Sequence, residues 1–275
     1  MTIRLLSGRD ITEQLEQAGR SPSRALGQNF VADPNTVRRI AALAGVGPGD
    51  RVVEIGAGLG SLTLALCETG AHVTAIEVDR HLVPLLRANV EPAGATVVEA
   101  DATTVDWHAL LGEEPHALVA NLPYNIATPL VADLLDGVPQ LVRMLVMVQR
   151  EVGERLAATV RHEQYGAVSV KVAYWATSKV VGRVPPTVFV PQPKVESALV
   201  EIVRRDVPAI DVSPEQLFPL VRAGFAQRRK MLRGALRGLV DDEVFACAGV
   251  RPEARAEELD VEAWGRLASC AHRPS

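Results

Sequence analysis

From residue 51 to about 150, short β-rich apolar runs alternate with stretches of helical periodicity. Arg51-Val-Val-Glu-Ile55 reads as a strand, and Ser61 to Glu68 opens a helix. His72 to Glu77 and Arg80 to Val90 repeat the pair. Thr96 to Glu99 and Leu118 to Ala120 are two further strands, followed by helical Pro129 to Leu135, and Leu141 to Val148 is a fifth strand. Such alternation implies right-handed crossovers and a mostly parallel sheet covered on both faces. The pattern then changes. Ala167 to Tyr174 and Ser197 to Val203 read as strands with no helix between them, and Val184 to Pro193 carries four prolines. An extended loop joining an antiparallel edge pair is expected there. Asp206 to Pro214 reads as a linker and the remainder as helical, with Ser213 or Asp211 as cap and Pro214 in the first turn. The expected organisation is an α/β domain over 1–205 and a small helical domain over 206–275.

Composition changes this picture little: 48% hydrophobic and 23% charged residues suit a folded chain, and aromatics are scarce at 4%. No apolar run reaches membrane-spanning length, and the first ten residues lack a signal-peptide core. The three cysteines, Cys67, Cys247 and Cys270, have no metal-ligand spacing, so a reduced, cytoplasmic protein is expected. Charge matters more. The net charge of −4 hides a segment from Gln216 to Val240 with six basic residues and no acid. Arg222, Arg229, Arg233 and Arg237 fall on one side at helical spacing with Lys230 nearby, and a solvated helix face is the plain alternative. The density of charge favours phosphate contact, with RNA read by shape and backbone.

The chemistry gathers at strand ends. "VVEIGAGLGSL" (52–62) is a glycine-rich turn between strand and helix, where Gly56 and Gly58 let the backbone approach a ligand. A dinucleotide fingerprint requires glycine at 61, where this chain has Ser61. Glu54 suits a cation and would sit poorly beside a pyrophosphate, so S-adenosylmethionine is favoured over a nicotinamide dinucleotide. Glu77, ending the second strand, is placed for the ribose hydroxyls. Asp101 would reach the adenine edge, with a solvated loop acid as its alternative. "NLPYN" (121–125) ends the fourth strand. The Asn121 side-chain oxygen and the Leu122 carbonyl could accept the two N–H bonds of an adenine amine. Pro123 stiffens the loop, and Tyr124 offers a ring to a flipped base.

Together with "LGQNFVAD" (26–33), "EADA" (99–102), "NLPYNIATP" (121–129), "VFVPQPKVESALV" (188–200) and "AGFAQRRKML" (223–232), these motifs resemble the ribosomal RNA adenine dimethyltransferases, in particular the small-subunit branch. The resemblance implies a Rossmann-like class I methyltransferase domain and S-adenosylmethionine as cofactor. It also implies methylation of two adjacent adenosines in a hairpin near the 3′ end of small-subunit rRNA, twice each, within a ribosomal subunit or its precursor. By the same resemblance Asn29 and the Val31 backbone would contact the cofactor, and Phe189 would form a second face of an aromatic clamp with Tyr124. Its bland rival is a ring anchoring the loop to the core. The RNA-binding residues would be Arg222, Arg229, Lys230 and Arg233, and the protein a monomer. Two other readings share these motifs: a large-subunit dimethylase conferring macrolide resistance, and a non-catalytic RNA-binding assembly factor.

Overall fold

The fold, a computed structural model that describes residues 3–23 and 26–272, begins with α1 (Gly8–Gln17), β1 (Phe30–Val31) and α2 (Pro34–Ala44). Ser7 and Asp10 form a reciprocal capping box on α1, whose Ile11 and Leu15 are buried. Asp33 caps α2 by accepting from the Thr36 backbone N–H, with Pro34 in the first turn.

The strand–helix alternation then runs as the pattern predicts. β2 (Arg51–Ile55), α3 (Ser61–Glu68), β3 (His72–Glu77), α4 (Val83–Val90) and β4 (Thr96–Glu99) lead into α5 (Trp107–Leu111), β5 (His116–Asn121), α6 (Ala127–Gly137) and β6 (Leu141–Gln149). β2 pairs in parallel with β3 and β5, β3 with β4, and β5 with β6. The sheet has seven strands in the order β4-β3-β2-β5-β6-β9-β7, where β7 is Ala176–Val184 and β9 is Ser197–Arg204. β9, a strand as expected, runs antiparallel to β6, and the edge beside it is β7 rather than the expected Ala167 to Tyr174. A separate two-stranded ladder joins β1 to β8 (Phe189–Val190), with Val31 opposite Phe189.

Two expectations need correction here. Ala167 to Tyr174 is not a strand but most of helix α8 (Ala167–Trp175); α7 (Arg150–Leu156) precedes it. Alternating Val168, Val170 and Val172 suggest period two, yet tertiary packing overrides β propensity. Ser169 is buried, accepts from the Gly166 N–H and donates to the Arg155 carbonyl, fixing a helical first turn. Val170 and Tyr174, four residues apart, are buried in one helical core, and the Tyr174 ring lies 5.5 Å from Phe218. The domain boundary shifts accordingly. One compact unit comprises residues 1–153 and 179–203, the other 154–178 and 204–275. The helical unit thus takes in a segment from the middle of the chain.

That helical unit holds α9 (Pro214–Ala226), α10 (Leu232–Ala235), α11 (Asp242–Ala248) and α12 (Val261–Ala271) around fully buried Trp264. Ser213 begins α9 as foreseen. Gly224 is required by packing, since a Cβ there would meet the Trp264 ring at 2.6 Å. The unit also overturns the expectation of wholly reduced cysteines: Cys247 and Cys270 form a disulfide. Their 23-residue separation says nothing about distance, but packing of α11 on α12 brings their Cα atoms to 6.1 Å. Cys67 is free, and burial pushes its thiol up to about 11.

Closing a loop of this length stabilises a fold by about 3 kcal/mol on the chain-entropy account. Reduction, or Cys247→Ser, is therefore expected to lower the unfolding free energy of the helical unit by about that amount, read by denaturant titration of tryptophan fluorescence. An unchanged midpoint would mean that the folded chain carries no such cross-link.

Candidate active site

Parallel pairing places the carboxyl ends of β2, β3 and β5 along one edge, and β2 lies where the chain turns from building one side of the sheet to the other. Such a switch point opens a crevice for ligands. Its floor is the turn after β2. Gly58 has φ +59, and a Cβ there would meet the Phe30 ring at 2.7 Å; Gly60 has φ +92, and its Cβ would run into Val90. The first glycine admits the N-terminal segment over the loop, and the second lets α4 pack beneath it.

The crevice contains two adjoining small cavities, of about 60 and about 30 Å³. Residues of the segment 26–31 cover both. Gly56, Gly58, Glu77, Asn121, Leu122, Pro123 and Tyr124 line the larger; Glu54, Gly56, Ser61, Val31 and Asn121 line the smaller. Of the residues expected to hold a cofactor, Asn29, Val31, Gly56, Gly58, Glu77 and Asn121 come together here. The cover is held down by the Asn121 side-chain N–H₂, which donates to the Asn29 carbonyl at 2.9 Å. Gln28 adds a second tie, donating to Asp79 at 3.0 Å. Asp79 closes the turn before α4, its carboxylate accepting from the His81 N–H.

Both Glu77 carboxylate oxygens accept backbone N–H groups, from Gly58 at 2.7 Å and Asp79 at 2.9 Å, which fixes the side chain. Burial raises its pKa, with those hydrogen bonds opposing. Glu54 is 2% exposed inside β2 and accepts the Thr63 hydroxyl at 2.6 Å. Burial pushes its carboxyl up to about 8, the Thr63 bond opposing and the Glu77 charge adding. No cation pairs with Glu54 among the described residues, so this cavity wall lacks a positive partner.

In the strand-ending loop, the Leu122 N–H continues the sheet to the Met147 carbonyl at 3.0 Å. Because the Asn121 nitrogen is engaged by Asn29, the amide oxygen is the end left to accept from a ligand. Tyr124 is half-buried, and its hydroxyl meets the Ser197 hydroxyl at 2.8 Å. Ser197 is fully buried at the start of β9, a placement that residue spacing did not reveal; its only sequence signal is its position in the "PKVES" motif.

Two expected residues lie elsewhere. Asp101 accepts from the Thr103 N–H and hydroxyl at 2.8 and 2.7 Å, bonds that hold its carboxyl below the usual range, and it lines neither cavity. Phe189 is 3% exposed and belongs to the hydrophobic core, so the ring that the resemblance placed in a clamp serves in this structure to anchor the proline-rich loop. Burying so large an apolar face outweighs presenting it to water.

The basic residues of the helical unit are also arranged differently from the expected single helix. α9 ends at Ala226, a turn spans residues 227–231, and α10 starts where Leu232 and Arg233 donate to the Ala254 and Pro252 carbonyls. The break puts Arg229, Lys230, Arg233 and Arg237 around one open concavity with Arg255, which sequence spacing had not connected to them. Arg222, on α9, is not in that lining. The acidic stretch that follows pairs selectively: Glu257 takes Arg228 at 2.7 Å, Glu258 takes Arg251 at 3.0 Å and Glu253 approaches Arg233 at 3.7 Å. No helix among the described residues is long and apolar enough to cross a membrane.

The family model for ribosomal RNA adenine dimethylase matches residues 20–272. The ribosomal RNA small subunit methyltransferase A of Kineococcus radiotolerans is 47% identical over 280 residues, covering 98% of this chain and 92% of the relative. The protein of the same name from Cutibacterium acnes is 48% identical over 273 residues, covering 94% and 91%. Among solved structures, the 23S rRNA methyltransferase ErmE is 28% identical with a TM-score of 0.68, covering 89% of this chain and all of that one. A dimethyladenosine transferase from Plasmodium falciparum shares the fold at a TM-score of 0.73 and 23% identity, over 86% and 94% of the two chains.

Glu54 gives the site a pH signature. A carboxyl raised from 4.5 to about 8 contributes stability that is fully present below the lower value and is lost as pH rises through the higher one. Chemical denaturation of the free protein is expected to show that fall from about pH 5 to about pH 9, and Glu54→Gln, neutral and of similar shape, to flatten it. A wild-type profile as flat as the variant's would mean that Glu54 is ionised in the fold.

Proposed function

This chain belongs to the ribosomal RNA adenine dimethylase family, and we propose from that premise and the site geometry that it methylates adenines of small-subunit rRNA. It is an S-adenosylmethionine-dependent rRNA adenine N6,N6-dimethyltransferase. Its substrate is a pair of adjacent adenosines in a hairpin near the 3′ end of that RNA, each methylated twice. The relatives at 47% and 48% identity carry the small-subunit name, whereas the structure of a 23S enzyme stands at 28%, which favours this branch over the large-subunit alternative.

The observation that carries the reading is the orientation of Asn121. With its nitrogen donating to Asn29, its oxygen accepts one N–H of an exocyclic amine, and the Leu122 carbonyl accepts the other. Two acceptors draw both hydrogens to one side and favour a pyramidal nitrogen whose lone pair is free to attack. The site residues also fit the cofactor: Glu77 for the ribose hydroxyls, the Gly56–Gly58 turn for close approach, and the unpaired Glu54 carboxyl for the cationic amino-acid end. When bound, S-adenosylmethionine supplies an electrophilic methyl group. The amine gives up its proton only after it has gained the methyl, so no side-chain base is required beforehand. A monomethylated amine keeps one N–H, and the same acceptors hold it for the second transfer. Tyr124, its hydroxyl fixed by Ser197, gives the flipped base a stacking face. Pro123 limits the loop that carries these groups.

RNA affinity comes from Arg229, Lys230, Arg233, Arg237 and Arg255, which form a phosphate-binding surface in the helical unit, with Arg222 as a further contact. The substrate is a small subunit or its precursor, and the enzyme a monomer of the cytoplasm.

The test is methyl transfer from labelled cofactor to small and large ribosomal subunits lacking these modifications, with mass analysis of the nucleosides. Dimethyladenosine is expected in the small subunit alone. Asn121→Ala is expected to lower kcat by about 10²-fold or more, in the range for loss of one preorganised polar contact in the transition state. Label in the large subunit would assign the chain to the other branch, and cofactor binding with no transfer would favour an assembly factor. For the surface, Arg229→Ala or Lys230→Ala should each reduce the salt dependence of RNA binding by about one phosphate contact. An unchanged slope would remove that residue from the interface.

A further inference from the structure

Among the described residues only two buried side-chain polar atoms lack a hydrogen-bond partner: the Trp264 indole N–H and the Ser61 hydroxyl. The second lies at the proposed cofactor site. Ser61 is 7% exposed and lines the smaller cavity together with Glu54, Gly56, Asn29 and Asn121. It is the first residue of α3, and the Gly60 before it offers no side-chain cap to that helix. A buried hydroxyl left without a partner is costly, so its persistence there points to a partner that arrives with a ligand.

Resting on the S-adenosylmethionine reading, we propose that Ser61 binds the α-carboxylate of the cofactor's methionine moiety and so positions the sulfonium. Two charged groups of that moiety compete for the cavity walls. The start of α3 carries the positive end of the helix dipole, which attracts an anion and repels an ammonium. Glu54, on the same cavity wall, offers carboxyl oxygens to the ammonium, whose charge would draw its raised pKa back down on binding. The two wall groups thus sort the two ends of the amino acid: hydroxyl and helix start to the carboxylate, Glu54 to the ammonium. Serine at this position is what set the loop apart from a dinucleotide fingerprint, and it gives the departure a use.

The test is calorimetric binding of three ligands to wild type and to Ser61→Ala. S-adenosylhomocysteine carries both charged groups, decarboxylated S-adenosylmethionine carries the ammonium without the carboxylate, and 5′-methylthioadenosine carries neither. The variant is expected to bind S-adenosylhomocysteine roughly tenfold more weakly, as for one hydrogen bond to a charged group. Its affinity for the other two ligands should be unchanged. Its melting temperature without ligand should be equal to or above wild type, because an orphaned hydroxyl has been removed. Equal weakening of all three ligands, or of the ammonium-only ligand as well, would overturn the assignment, as would no weakening at all. Failure of wild type to bind S-adenosylhomocysteine would instead sink the cofactor reading beneath it.

Discussion

In a parallel sheet the carboxyl ends of the strands share one edge, and β2 pairs in parallel with β3 on one side and β5 on the other. Residues far apart in sequence are thereby delivered to one crevice: Glu54 and the glycine turn from β2, Glu77 from β3 and Asn121 from β5. None of these side chains reaches another through a long flexible loop. Each is set by the register of a buried strand, so the site inherits the rigidity of the core. The cover from residue 26 to 31 is brought from outside the sheet, and backbone pairing of β1 with β8 holds its end.

The parts of this arrangement legible in the sequence are those encoded locally. Apolar runs of strand length, interrupted by glycine turns and helical periods, fixed β2, β3, β5 and β6 and the strand-end positions of Glu77 and Asn121. What stayed hidden depended on packing partners distant in sequence. Val168, Val170 and Val172 alternate like a strand, and only the helical core containing Phe218 makes a helix of them. Ser197 reads as a surface hydroxyl until β9 pairs with β6 and buries it against Tyr124. Phe189 could stack or anchor, and its burial chose the second. Cys247 and Cys270 give no hint of contact without α11 lying on α12.

The helical unit shows how a chain of net negative charge carries a basic surface. Its acids do not sit apart as a separate tail. Glu257 and Glu258 neutralise Arg228 and Arg251, while Arg229, Lys230, Arg237 and Arg255 keep no carboxylate within ion-pair distance among the described residues. The break between α9 and α10 matters as much as the charges, because a continuous helix would spread these side chains along its length. A turn gathers them into one concavity.

The bond from Asn121 to the Asn29 carbonyl also bears on which base is refused. An amide whose nitrogen donates to that carbonyl keeps its oxygen as the accepting end, and under the proposed function the Leu122 carbonyl stands beside it as a second acceptor. Guanine, whose carbonyl O6 stands where adenine has its amine, would bring a third oxygen against those two. Under the proposed function, lone-pair repulsion then disfavours the wrong purine without any group dedicated to reading it.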